Sequence, residues 1–198
     1  MHKSTTRYIT SFLLSTSLLT ILASGSALAD WELDNSRSQV NFISVKNEHI
    51  AEIHSFDTIS GKISTEGALS IDIDLSSVNT LIPIRNERMQ KMLFDVANFR
   101  TASFTASVDK SLLNLPKGEQ KEVQVDGQLS IKETSVPTSF HVLITSLGNG
   151  QLSAITLKPT ILNAGSFNLD AGITALQEVA MLNSISKTVP LTFKVVFN

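Results

Sequence analysis

The chain of 198 residues contains no cysteine. A disulfide, a cysteine nucleophile and a cysteine lipid anchor are therefore excluded, and the fold must be held by its core and its backbone hydrogen bonds. Aromatic residues are also few, at 6% of the chain, and there is no run of basic residues. The mildly acidic balance, −2 overall, argues against nucleic acid or an anionic membrane surface as the partner.

The first 29 residues have the three parts of a secretory signal peptide. Lys3 and Arg7 give a positive start, residues 9–23 are apolar and uncharged, and small residues at 27 and 29 precede Asp30. We predict export to a bacterial periplasm and cleavage between Ala29 and Asp30. The alternative is a membrane anchor, but the apolar segment is shorter than the ~20 residues that span a bilayer.

Cleavage would leave residues 30–198 as a single domain with 14 basic and 18 acidic residues. This length is within the usual range for one domain and is sufficient for a substantial core. We find no internal repeat or linker in it, and we expect no stable membrane insertion once the signal is removed.

Alternation of apolar and polar residues dominates the predicted mature chain. Aliphatic residues alternate with Ser and Asp from Leu69 to Ser76, and every second residue is apolar from Val189 to Phe197. One buried face and one wet face are typical of antiparallel sheet. About eight such runs occur, at 38–47, 50–64, 67–75, 101–113, 121–131, 136–147, 150–159 and 188–198.

Three segments depart from this alternation. Phe56 falls on the face opposite to Ile53 and Ile59, which predicts a bulge in the second run. Residues 84–94 carry good helix formers, and residues 171–182 space their apolar residues as one helical face. We predict a short helix in each of the last two segments.

Eight meandering strands leave exposed edges unless the sheet closes, so we predict an all-β fold, an eight-stranded antiparallel barrel with one or two short helices. A barrel of this size is either filled by side chains or wide enough for one small ligand. The predicted mature chain has no Tyr, and its large aromatic residues are Trp31 and nine Phe. This low aromatic volume favours a hollow interior, although a filled one stays open.

Three stretches of the chain resemble the YceI-like family of periplasmic lipid-binding proteins, also described as polyisoprenoid-binding. The first is Trp31-Glu32-Leu33-Asp34 with the following residues 38–42. The second is the central segment from Ser77 to Phe104, which is the most specific of the three. The third is Asp126-Gly127-Gln128-Leu129-Ser130-Ile131.

The resemblance spans nearly all of residues 31–198 and implies a lipocalin-like barrel. In this family the lumen holds a long prenyl or quinone-like chain, so the resemblance implies a lipid ligand and no cofactor.

Apolar strand residues are the first candidates for the ligand site. They would line a lumen in a hollow barrel, or pack a solid core in a filled one. The candidates are Phe42, Ile71, Phe104, Leu129, Phe140, Val142, Phe167 and Phe193.

Arg85 and Arg88 are the polar candidates. They lie three residues apart near the start of a predicted helix and so share a face. At a barrel mouth they would hold a phosphate or quinone oxygen of a lipid head group. The alternative is a pair of arginines that are solvated or paired with Glu87, Asp95 or a strand carboxylate.

The sequence shows no metal site and no catalytic constellation. His49 and His54 lie five positions apart, so on a strand they point to opposite faces, and we interpret them as surface histidines. There is no Gly-x-Ser-x-Gly motif and no nucleophile with a recognisable partner.

We therefore predict a binding protein rather than an enzyme. Two other hypotheses remain open. The first is an envelope hydrolase or isomerase, which a buried polar cluster with a strongly shifted pKa facing the lumen would favour. The second is a solidly packed barrel that acts through its outer surface as a stress or interaction module. An exposed apolar mouth would favour a homodimer.

Overall fold

The computed structural model describes residues 30–198, so the predicted signal peptide lies outside the described residues. Within these residues the chain forms twelve strands and two α-helices. The strands are β1 (Trp31–Glu32), β2 (Gln39–Lys46), β3 (Ile50–Phe56), β4 (Ile59–Ile63), β5 (Ala68–Asp74), β6 (Val78–Asn79), β7 (Thr101–Ser107), β8 (Gln120–Ile131), β9 (Thr134–Gly148), β10 (Gln151–Thr156), β11 (Thr160–Asn163) and β12 (Thr188–Phe197).

The helices are short and lie between strands. Helix α1 (Pro83–Arg88) runs directly into a π-helical segment (Met89–Phe94), and α2 (Asp170–Val179) precedes β12. One-turn 3-10 helices occupy Asn35–Arg37, Leu75–Ser77, Lys110–Asn114 and Ala164–Phe167. None of the helices within residues 30–198 is long and apolar enough to cross a bilayer.

All strand pairs are antiparallel, and the sheet follows the order β1-β4-β5-β7-β8-β9-β10-β12-β2-β3-β6, with β11 paired to β12. The sheet also returns on itself at one end. The backbone N–H of Glu32 donates to the carbonyl oxygen of Asn198 at 3.1 Å, and that of Asn198 donates to Glu32 at 2.9 Å. Leu33 forms a bridge with Phe197. Because β1 pairs with β4 on its other side, these bonds close the ring.

The predicted class, an all-β antiparallel barrel of lipocalin-like type with short helices, is confirmed. The predicted count of eight strands is wrong, because the second run is divided into β3 and β4 and because β1, β6 and β11 lie outside the predicted runs. These three strands have only two to four residues, which is too short for a visible alternation.

In place of the bulge predicted near Phe56, the run is interrupted at residues 57–58, between β3 and β4. Phe56 and Ile59 are both buried although they lie three positions apart, so the break moves the buried face by one residue. The 101–113 run also ends early, since β7 stops at Ser107 and a 3-10 helix follows.

The turn between β4 and β5 depends on a glycine. Gly67 has φ +87°, and a Cβ there would lie 2.2 Å from the carbonyl oxygen of Val108. We expect Gly67→Ala to lower the free energy of unfolding by about 2–4 kcal/mol, because backbone strain and steric overlap add.

Gly118→Ala is the matched control for this prediction. Gly118 has φ +84° but no atom within 4 Å of the added Cβ, so only the backbone strain of about 1–2 kcal/mol applies. Urea denaturation of both variants measures the difference. Equal losses would show that the contact with Val108 relaxes at no cost.

Candidate ligand-binding site

The barrel encloses two cavities. The inner cavity, about 110 Å³, lies between the strands at the end where the ring closes. The outer cavity, about 410 Å³, lies under α1, the π-helical segment and α2. Leu191 lines both cavities, so they share a wall. The outer volume is within the ~300–1,000 Å³ that is usual for small-molecule sites.

The inner cavity is almost entirely apolar. Among the described residues that line it, Ser153 is the only polar one. Phe140 makes edge-to-face contacts with Phe104 and Phe193, at centroid distances of 5.0 Å and 5.2 Å. Such contacts fix the rings in one packing arrangement.

The strand alternation places six of the sequence candidates at the inner cavity, because β5, β7, β8, β9 and β12 each direct one face to the lumen. They are Ile71, Phe104, Leu129, Phe140, Val142 and Phe193.

The outer cavity has an apolar floor and a charged rim. The remaining four candidates, Phe42, Phe167, Arg85 and Arg88, line it. Phe167 is only 2% exposed, whereas Ile82 and Ile84 line the cavity while 43% and 52% exposed. The cavity therefore opens to solvent beside the start of α1. Contact of these ten residues with a ligand stays a prediction.

Local hydrogen bonds hold the start of α1 in place. The Asn86 side-chain oxygen accepts from the backbone N–H of Thr80 at 2.8 Å and from its hydroxyl at 2.6 Å. Gln90 Nε2 donates to the carbonyl oxygen of Ser76 at 2.8 Å. Pro83 occupies the first turn, where its missing N–H costs nothing. These contacts fix the direction of Arg85.

Arg85 is paired with a strand carboxylate, as one of the two sequence alternatives predicted. Its Nη1 lies 2.8 Å from Glu52 Oε2, and its Nη2 donates to the carbonyl oxygen of Thr80 at 2.8 Å. Lys46 Nζ lies 2.7 Å from the same Glu52 oxygen. The pKa of the Glu52 carboxyl is held below its usual value, mainly by the hydrogen bond from Lys46 and further by Arg85, while burial acts in the opposite direction.

The outer cavity has an excess of positive charge. Its charged lining residues are Lys46, Glu52, Arg85 and Arg88. Glu52 is shared by two cations, and Arg88 forms no ion pair with any residue from 30 to 198. An electron-rich group is therefore favoured at this rim.

The prediction that His54 is a surface residue is wrong. His54 is 3% exposed and lines the outer cavity. It lies opposite Phe42 in the β2–β3 ladder, and the two rings are 5.2 Å apart. Cross-strand partners share a face of the sheet, so His54 points inward with Phe42. His49 is exposed, and no group of three potential ligands among residues 30–198 is arranged to hold a metal ion.

The environment of His54 favours its neutral form. Burial, and secondly the positive charge of Arg85, hold the pKa of its imidazole below the usual value. Its Nε2 lies 2.8 Å from Ser44 Oγ. Its Nδ1 is buried without a hydrogen-bond partner, and so is Arg85 Nε.

Sequence reasoning missed Lys46, Glu52, His54 and Ser44 as lining residues. A signal for them was present in the register of the β2–β3 hairpin. The turn at residues 47–49 pairs Lys46 with Ile50 and therefore Phe42 with His54. Since paired residues share a face of the sheet, the prediction that Phe42 faces the lumen also predicts that His54 does.

The closed sheet and the two largely apolar cavities inside it define a lipocalin-like barrel. A family model for the YceI-like domain matches residues 31–197, and the chain belongs to this family. A search of curated proteins found no match.

Solved structures support the same fold. The chain is similar to a polyisoprenoid-binding domain from Saccharophagus degradans implicated in plant cell wall breakdown, with 36% identity and a TM-score of 0.82, covering 85% of this chain and 97% of that one. It resembles Burkholderia cenocepacia BcnA at 19% identity and TM-score 0.60, covering 83% and 98%. A Campylobacter jejuni YCEI protein matches at 15% identity and TM-score 0.50, covering 70% and 80%. The last two similarities concern the fold alone.

Proposed function

We propose that this protein is a carrier that encloses a long apolar lipid, of polyisoprenoid or isoprenoid-quinone type, in its barrel. The observation that carries the proposal is the pair of adjoining cavities, whose lining is charged only at the outer rim. A lipid tail in the inner part and a polar head near the rim would match this distribution.

Apolar enclosure would provide the affinity. Each buried methylene contributes ~0.8 kcal/mol, so several prenyl units outweigh the ordering costs of binding. The 36% identity with a domain named polyisoprenoid-binding supports this ligand class. Shielding the chain from water, with no chemical step and no cofactor, is the proposed mechanism.

The proposed place of action is a bacterial periplasm. It rests on the signal-peptide pattern of residues 1–29, with cleavage between Ala29 and Asp30, and leaves residues 30–198 as the binding domain. The half-exposed apolar residues at the mouth would favour a homodimer in the absence of lipid.

The two other hypotheses are less well supported. A barrel acting only through its surface does not need a cavity of about 410 Å³. A hydrolase is suggested by the 2.8 Å contact between Ser44 and His54 at the lumen. However, His54 Nδ1 has no partner, whereas a serine triad requires a carboxylate there to orient the base. We therefore assign this pair to binding.

Mass spectrometry of solvent extracts tests the proposal. The mature protein would be purified from its native periplasm and extracted with organic solvent, beside a mock purification without the protein. We expect a prenyl or quinone species in about one copy per barrel. Folded protein that yields a lipid-free extract would exclude the carrier function and favour the surface-acting barrel.

We expect Arg85→Ala to weaken binding of a polyprenyl phosphate more than binding of the uncharged polyprenol. Removal of Arg85 takes away one of the positive charges of the rim but leaves Lys46 to pair with Glu52. A charge-assisted hydrogen bond is about twice as strong as a neutral one, so the phosphate should lose more affinity. Titrating delipidated Arg85→Ala and unaltered protein with both lipids gives, for each lipid, the ratio of the two dissociation constants. Equal ratios for the phosphate and the alcohol would contradict the role of Arg85 in head-group binding.

A further inference from the structure

Two buried polar atoms of the outer cavity lack hydrogen-bond partners, namely His54 Nδ1 and Arg85 Nε. A buried polar group without a partner is costly, and most such groups in folded proteins are satisfied. Both belong to side chains that line one cavity and lie within electrostatic reach of each other. Their position in the same cavity indicates that a bound molecule supplies the missing hydrogen-bond partners.

Arg85 has a buried N–H donor without a partner, at Nε. Its Nη1 is directed to Glu52 and its Nη2 to the carbonyl oxygen of Thr80, each at 2.8 Å. These two bonds hold the planar guanidinium in a single orientation. The remaining Nε–H is a donor, because arginine carries no acceptor.

His54 supplies the second donor. Ser44 Oγ and His54 Nε2 share a hydrogen bond of 2.8 Å, in which the His54 tautomer decides the donor. The Ser44 hydroxyl has no other acceptor among residues 30–198, so the tautomer that satisfies it is the one in which Nε2 accepts and Nδ1 carries the proton. The charged groups facing His54 are Lys46, Glu52 and Arg85. The two cations favour the neutral imidazole over the charged one, and in the tautomer that satisfies Ser44 its Nδ1–H is a donor.

We infer that His54 Nδ1 and Arg85 Nε bind an oxygen acceptor on the head group of the lipid, and that this contact selects the ligand. A quinone carbonyl or a phosphate oxygen has the required chemistry, and a pure polyprenyl hydrocarbon has not. This inference deepens the proposed function and rests on it. It makes His54 a specificity residue of the site.

Three probes with tails of the same kind test the inference, namely a polyprenyl quinone, a polyprenyl phosphate and a polyprenyl hydrocarbon. Delipidated full-length mature protein would be titrated with each. We expect the hydrocarbon to bind at least about tenfold more weakly than the better of the two oxygen-bearing lipids. Comparing the quinone with the phosphate then shows which oxygen the site accepts.

His54→Phe removes the donor and keeps an aromatic ring beside Phe42. We expect it to weaken binding of the preferred oxygen-bearing lipid about tenfold and to leave hydrocarbon binding unchanged. His54→Gln keeps an N–H donor and should recover part of the loss. The matched control is His141→Phe, because His141 lies between two lumen residues of β9, Phe140 and Val142, and faces outward.

The outcomes separate the inference from the proposed function. Equal binding of all three lipids by the unaltered protein, or equal losses for every lipid in His54→Phe, would overturn the inference and leave the carrier function standing. Binding of none of the three would remove the proposed function and the inference together.

Discussion

Ala180→Trp is expected to leave the purified protein without bound lipid. Ala180 is the exposed residue that ends α2, and it lines the outer cavity together with Ile82, Ile84 and Leu182. An indole at this position would extend across the opening. Since Ala180 is exposed, the larger side chain requires no change in the core. We expect the amount of extractable lipid per barrel to fall at least about tenfold.

Ala171→Trp is the matched control for this variant. Ala171 lies on the same helix and is exposed, but it does not line either cavity. Circular dichroism would establish that both variants are folded, and quantitative mass spectrometry of their extracts would give the lipid content. A normal lipid content in Ala180→Trp would show that the ligand enters elsewhere or binds outside the barrel.

The second large effect concerns stability. Phe140→Ala is expected to lower the free energy of unfolding by about 3–5 kcal/mol. Phe140 is 5% exposed and contacts Phe104 and Phe193 edge to face. Truncation would remove both contacts and enlarge the inner cavity, which cannot collapse because the surrounding strands are held by the closed sheet.

Phe99→Ala removes the same atoms from a partly exposed site, where the ring contacts Lys132. A loss of about 1 kcal/mol is expected for that control. Chemical denaturation of the lipid-free variants separates stability from ligand effects. If Phe140→Ala costs no more than Phe99→Ala, the aromatic cluster does not support the inner wall.

Most of the strands were predictable from the sequence, because one face of each strand is buried against the interior of the barrel. A closed sheet with one buried face imposes a period of two, and long strands such as β8 and β9 display it over many residues. β1, β6 and β11 escaped prediction because they have only two to four residues. The second predicted helix lies at residues 170–179, and its apolar spacing puts Ile173, Leu176 and Ala180 at the outer cavity.

The charged rim of the outer cavity was predictable only in part. Arg85 and Arg88 were identified from their spacing, but Glu52 is 33 residues from Arg85 in the chain, and nothing local in the sequence indicates their contact. The burial of His54 depends on the hairpin register and on the break at residues 57–58. Whether the barrel was hollow depended on packing, which composition does not determine.

The closure of the ring also governs when the domain can fold. β1 completes the barrel by hydrogen bonding to residues 196–198, so the first and last strands of the domain must meet. Contacts between such distant segments are slow to form, since a long loop must close before they contribute stability. During synthesis, the N-terminal strands therefore lack their final neighbour until the C-terminal strand has been made. The barrel can therefore close around its lumen only after the whole domain has been synthesised.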